Sequence, residues 1–182
     1  MRFLTGLLLA ASVAVLTGCA PAVSIHPIYT SRDLTTDLSL DGAWAEQDGE
    51  IWQVRRAEDG YDATVLRNGE APGTDAYRVH LLRLKDTNFL DVTSKADPGL
   101  GIAGHLFAKI SLQGDELVIA LMDDNWLKKA VQSGLAPQSV TGEDGRIILT
   151  APTADLQRFI LMHADNAEAW NGDAGRMRRV RY

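Results

Sequence analysis

Four histidines, His26, His80, His105 and His163, are the side chains best suited to bind a metal or carry a proton near neutral pH. No two of them have the close spacing of a metal-binding helix or hairpin. His80 and His105 can face each other across neighbouring strand-like runs with Asp91 between them, and two histidines with one carboxylate are a ligand set for zinc or iron. The favoured reading of these three is separate hydrogen-bonded or surface side chains, so no metal and no cofactor is expected. His163 falls on an apolar helical stripe with Leu156, Phe159 and Ile160, where it reads as a core histidine with one satisfied nitrogen.

Signs of catalysis are sparse. The chain has no Gly-x-Ser-x-Gly elbow, no phosphate-binding loop and no His-Glu-x-x-His. Its paired carboxylates, Asp48 and Glu50, Glu58 and Asp59, Asp123 and Asp124, Glu143 and Asp144, sit at turn signals, where such groups are solvated and shape the turn. The expectation is a protein that is not an enzyme. Of the tryptophans Trp44, Trp52, Trp126 and Trp170, the first two lie on adjacent predicted strands and can line one end of a barrel. Aromatic walls suit an apolar or sugar ligand, with ordinary core packing as the competing use. Trp44, Trp52, His80 and His105 are therefore the candidate ligand-binding residues.

The elements that must position these residues are short strands broken by turns. Leu40–Glu46, Ile51–Ala57, Tyr61–Arg67, Ala76–Leu84, Phe89–Thr93, His105–Leu112 and Glu116–Met122 read as strands. Gln47-Asp48-Gly49, Glu58-Asp59-Gly60, Asn68-Gly69, Asp86-Thr87-Asn88 and Gln113-Gly114-Asp115 separate most of them. A Gly-rich loop with Pro98, Gly99, Gly101 and Gly104 separates the fifth from the sixth. Gaps this short pair neighbours antiparallel, as a meander. Asp123 or Asp124 can cap a helix running to about Ser133, with Gly134 just beyond it. A short strand, Arg146–Thr150, precedes a second helix from about Pro152 to Ala164. Leu117 to Leu121 are apolar without a break, so that strand needs cover on both faces. The expected fold is mainly β with two helices (α+β): an antiparallel meander forming a curved sheet or a lipocalin-like barrel, helices packed outside.

The amino terminus carries an address. Arg2 precedes an apolar run from Phe3 to Leu16 that is too short for a comfortable membrane span, as in a secretory signal peptide. Its ending, Leu16-Thr17-Gly18-Cys19, resembles the lipobox of bacterial lipoproteins. That resemblance implies cleavage before Cys19, a diacylglyceryl thioether on Cys19 and acylation of the new amine. Cys19 is the only cysteine, so no intramolecular disulfide can form. Ala20 in place of aspartate implies, by the same resemblance, transfer to the outer membrane in a Gram-negative cell.

Two further resemblances bear on the body of the chain. Gly42-Ala43-Trp44 resembles the Gly-x-Trp signature of lipocalins and related calycin barrels, in which the tryptophan closes one barrel end. Ser24-Ile25-His26-Pro27-Ile28-Tyr29-Thr30, with Asp33-Leu34, Val79-His80-Leu81, Phe89-Leu90-Asp91, Trp126-Leu127 and Leu149-Thr150-Ala151, is similar to a group of uncharacterised bacterial proteins with a Ser-x-His-Pro-Leu-Tyr-type segment. That group supplies no activity to carry over.

Organisation follows from composition. Residues 1–18 read as the signal peptide, 19–38 as a lipid-anchored tether, 39–170 as one β-rich domain, and 171–182 as a basic tail with four arginines in Arg176–Tyr182. Removing residues 1–18 takes Arg2 and no acid from a chain with 18 basic and 24 acidic residues, moving the net charge from −6 to −7. An acidic, exported body excludes nucleic acid as a partner. The tail reads as solvated and pairing with the acidic body. The function expected is a membrane-anchored, non-catalytic envelope module that binds a small apolar ligand or an envelope component. The alternative is a structural or assembly factor acting by protein contacts. The partners are then the membrane, through acyl chains on Cys19, and a small apolar ligand or an envelope protein.

Overall fold

Turn chemistry dictates the register of the sheet. The structure, a computed structural model, describes residues 22–36, 38–47, 49–67, 75–96, 103–170 and 172–181. Cys19 and the predicted signal segment lie outside the described residues. The strands are β1 (Val23–Ser24), β2 (Gly42–Ala45), β3 (Ile51–Ala57), β4 (Gly60–Leu66), β5 (Asp75–Leu84), β6 (Thr87–Ser94), β7 (His105–Gln113) and β8 (Glu116–Leu121). After them come α1 (Asp124–Gln132), β9 (Ser139–Thr141), β10 (Ile147–Leu149), α2 (Thr153–Met162) and β11 (Gly172–Val180). The tight turn from β3 to β4 needs Gly60 because a Cβ there would lie 2.5 Å from the Val79 carbonyl oxygen. Gly114, at φ +60°, turns β7 into β8.

β2 through β8 form an up-and-down antiparallel meander, and β6 pairs with both β5 and β7. β11 returns after the helices and pairs with β8 on one side and β2 on the other, closing an eight-stranded antiparallel barrel. The expected barrel with helices outside is present. Its side chains alternate between two cores, as strands with a period of two require. Inward residues Trp44, Tyr61, Ala63, Val79, Leu81, Leu90, Ile110, Leu117 and Met177 fill one. Outward residues Leu82, Leu84, Phe89 and Phe107 meet Leu127, Leu156, Phe159, Ile160 and Trp170 of the helical layer in the other. The unbroken apolar run in β8 is thus explained: Leu117 faces the barrel core and Ala120 packs against the helix-side core.

α1 begins where Asp123 accepts the Trp126 N–H at 2.7 Å, and it stops before Gly134 at φ +71°. α2 follows Pro152 and ends at His163, one residue past its last turn. The His163 ring lies edge-on against Trp126 and Phe159, with centroids 4.8 and 5.0 Å away, and its buried Nε2 has no hydrogen-bond partner. Burial pushes its pKa below the usual imidazole value. The unfolded chain therefore takes up a proton just below pH 6.5 while the folded chain does not. Stability is full above that pH and falls as pH drops toward the folded value. Thermal unfolding across pH 5 to 7 is expected to show this slope in the native chain and a flatter profile in His163→Phe; equal slopes would refute it.

Two stretches differ from the sequence reading. The predicted tether is laid into the fold from Ala22 onward. β1 pairs antiparallel with β7 and parallel with β10, and Ile28 is fully buried. Its few apolar side chains suffice because they pack against the barrel wall and the helical layer. The predicted tail is β11, the closing strand. Arg176 and Arg181 do pair with Glu116 and Asp115 of the acidic body, but from an ordered strand. A barrel has no free edge for such a strand to leave vacant. The globular unit therefore extends beyond residues 39–170 at both ends.

Candidate functional site

Alternation along the strands lines the barrel interior with apolar side chains that leave free space among them. Val79, Leu90, Val92, Leu106, Ala108, Leu117, Ile119, Leu121, Gly175 and Met177 wall a cavity of about 460 Å³. Its size lies within the usual range for small-molecule sites, roughly 300–1,000 Å³. Small residues make the room: Ala108 and Gly175 stand where neighbouring strands place Leu or Ile. The polar groups are at one end. Trp52 and Glu46 border the cavity, and the Trp52 indole N–H donates to Glu46 Oε1 at 2.8 Å. Tyr77 stacks on Trp52 with centroids 5.6 Å apart. Just outside, Arg67 bonds Glu50 at 2.6 Å and also pairs with Asp75.

The opposite end is shut. Trp44 is fully buried, its indole N–H donates to the Leu40 carbonyl at 2.9 Å, and the Arg179 guanidinium lies 4.2 Å over its ring. Arg179 also donates to the Asp41 carbonyl at 2.5 Å. Trp44, held between the Leu40 carbonyl and Arg179, thus fills this end of the barrel. Trp44 and Trp52 are register partners, yet only Trp52 borders the cavity.

His80 and His105 are elsewhere, on the outer wall. His80 is the register partner of Asp91, and His105 Nδ1 donates to Asp91 Oδ1 at 2.7 Å. Asp91 is fully buried, and its second oxygen accepts the Ile28 N–H at 2.9 Å. The Tyr29 ring stacks at a tilt on His80, 4.5 Å between centroids. Burial, with the negative charges of Asp91 and Asp59, pushes the Tyr29 phenol above its usual pKa. The predicted proximity of His80, Asp91 and His105 is real, but its work is to bind residues 22–34 to the wall. Gln157 donates to the Ile28 carbonyl at 3.0 Å and to Asp33 at 2.8 Å, and Thr153 donates to the Pro27 carbonyl at 2.8 Å. Burial raises the Asp33 pKa, but its bonds from Thr30 and Gln157 outweigh that and leave the carboxyl below its usual value. Among the described residues, no three His, Cys, Asp or Glu side chains are grouped to hold a metal.

The four candidate ligand residues therefore do not converge. Trp52 borders the cavity, Trp44 closes the barrel beneath it, and His80 and His105 lie outside under the strap. The sequence reading missed Glu46, Leu106, Ala108 and Gly175 as cavity residues. Their signal was the period-two alternation itself, once turns fix which residues share the inner face. Comparison with protein-family models, curated proteins and solved structures gives no match to this chain.

Proposed function

We propose that the chain is a lipid-anchored envelope lipoprotein that carries a small apolar ligand inside its barrel, without catalysis. The cavity of about 460 Å³, apolar along its walls and polar at one rim, is the observation that carries this reading. An apolar body gains about 25 cal/mol per Å² removed from water. Glu46 and Trp52 at the rim suit a ligand with one polar end. The address rests on the lipobox resemblance of Leu16-Thr17-Gly18-Cys19, and Ala20 in place of aspartate points, by the same resemblance, to the periplasmic face of the outer membrane. Two or more acyl chains on Cys19 would anchor it stably. Among the described residues no helix is long and apolar enough to cross a membrane. A second reading, an assembly factor working by protein contacts, draws on Leu135 and Met162, exposed at 64% and 69% beside one groove.

Native mass spectrometry of the chain extracted from membranes tests both halves of the proposal. Covalent acyl mass at Cys19 and a second mass that leaves on denaturation are the expected results. A cleaved, unacylated chain would sink the anchor. A bare acylated chain would sink the carrier and favour the protein-contact reading.

A further inference from the structure

We propose that Val140, Ile148 and Val23 form a ramp along which an acyl chain of a membrane lipid passes from the anchoring bilayer into the barrel; the inference rests on the carrier reading above. Three register pairs draw the line: Leu106 with Val23, Val23 with Ile148, and Ile148 with Val140. Register partners point to the same face of a sheet. Leu106 walls the cavity, so the other three continue the inner face outward beyond the barrel. Their neighbours Ser24, Ile147 and Leu149 turn the other way and are buried at 0%, 4% and 0%. Exposure rises along the strip: Val23 and Ile148 are half-buried, and Val140, on the last strand of the sheet, is 53% exposed. Such a path grades from water to the cavity without a polar side chain on the line.

The proposed anchor is only a short length of chain away from this strip. Ala22 is buried next to β1, and Cys19 is three residues earlier, within about 11 Å of chain. Acyl groups on Cys19 would therefore hold the bilayer surface close to β1 and to the β7 end of the cavity. A strip one side chain wide fits an extended hydrocarbon chain whose head stays outside, while Ser139 and Thr141, beside Val140 on β9, turn to the opposite face with Leu149 and Ile147.

The test uses the acylated protein in liposomes of phosphatidylethanolamine and phosphatidylglycerol. A fraction of the phosphatidylethanolamine bears a diazirine on one acyl chain. Irradiation followed by peptide mass mapping is expected to place adducts on Val140 and Ile148 as well as on Leu106. Val140→Asp should slow labelling of the cavity several-fold, and Val140→Leu should keep the native rate. Circular dichroism confirms that each variant folds, as an exposed edge position should allow. Cavity adducts with a clean strip and an unchanged Val140→Asp rate would overturn the ramp and leave the carrier standing. A cavity unlabelled in acylated protein but labelled in Cys19→Ser would make the protein's own acyl group the occupant and also overturn the ramp. No cavity adducts in either chain would overturn the carrier reading and the ramp with it.

Discussion

Asp91→Ala is expected to lower stability by about 3 kcal/mol and to loosen residues 22–34 from the barrel wall. The carboxylate is fully buried and accepts two hydrogen bonds, from Ile28 N–H at 2.9 Å and His105 Nδ1 at 2.7 Å. Alanine strands both donors, and a buried donor without a partner costs roughly 1–3 kcal/mol. Asp91→Asn should cost less, about 1–2 kcal/mol, because the amide oxygen keeps one of the two bonds while its NH₂ opposes the other donor. Other ties remain: the Thr35 N–H donates to the Leu81 carbonyl and the Arg83 N–H to the Asp33 carbonyl, both at 3.0 Å. The barrel should therefore stay folded while the strap opens locally. Urea unfolding reads the global loss, and hydrogen exchange at Ile28 reads the local one. A loss below about 1 kcal/mol with unchanged exchange would show that water replaces the carboxylate and that Asp91 is no anchor.

That prediction turns on a contact only half legible in the sequence. Strands β3 to β8 could be read because turn residues bracket most of them and each is a short run rich in strand-forming residues. The same pattern brought His80, Asp91 and His105 to one region, since consecutive antiparallel strands lie side by side. The third partner was hidden. Ile28 donates to a residue 63 positions away, from a segment whose prolines and polar residues resemble a linker. Residues 22–34 are held by contacts to the barrel wall and α2, so little of their stability is written in their own periodicity.

β11 escaped notice for a reason tied to the cavity. Its inward positions are Gly175, Met177 and Arg179. Gly175 leaves space, and Arg179 stacks on Trp44 at the closed end. The strand thus shows one large apolar side chain among arginines, where a strand facing a filled core would show three. The glycine that helps to leave the barrel interior empty is thus also one reason for the weak strand signal. Gly175 belongs to the cavity wall and the cation–π contact to the closed end, and together they blurred the strand pattern.

Gly175→Leu is the substitution that separates a carrier from a merely underpacked barrel. Gly175 borders the cavity, has no positive φ, and an added Cβ would meet no atom within 4 Å. A leucine there can enter the free volume without displacing a wall. Stability should rise by about 1–2 kcal/mol, from the apolar surface buried and from replacing glycine within a strand. Ligand binding should fall at least about tenfold, a change worth roughly 1.4 kcal/mol, because the side chain takes the ligand's place. The opposite signs carry the weight. A structural cavity gives the first effect alone, whereas a binding site gives both. Thermal unfolding and the bound mass in native spectra measure the two independently. A variant that is stabilised yet still carries its ligand would move the site out of the barrel, and a destabilised one would mean that strand β11 does not tolerate a side chain at the free space beside Ile119, its register partner.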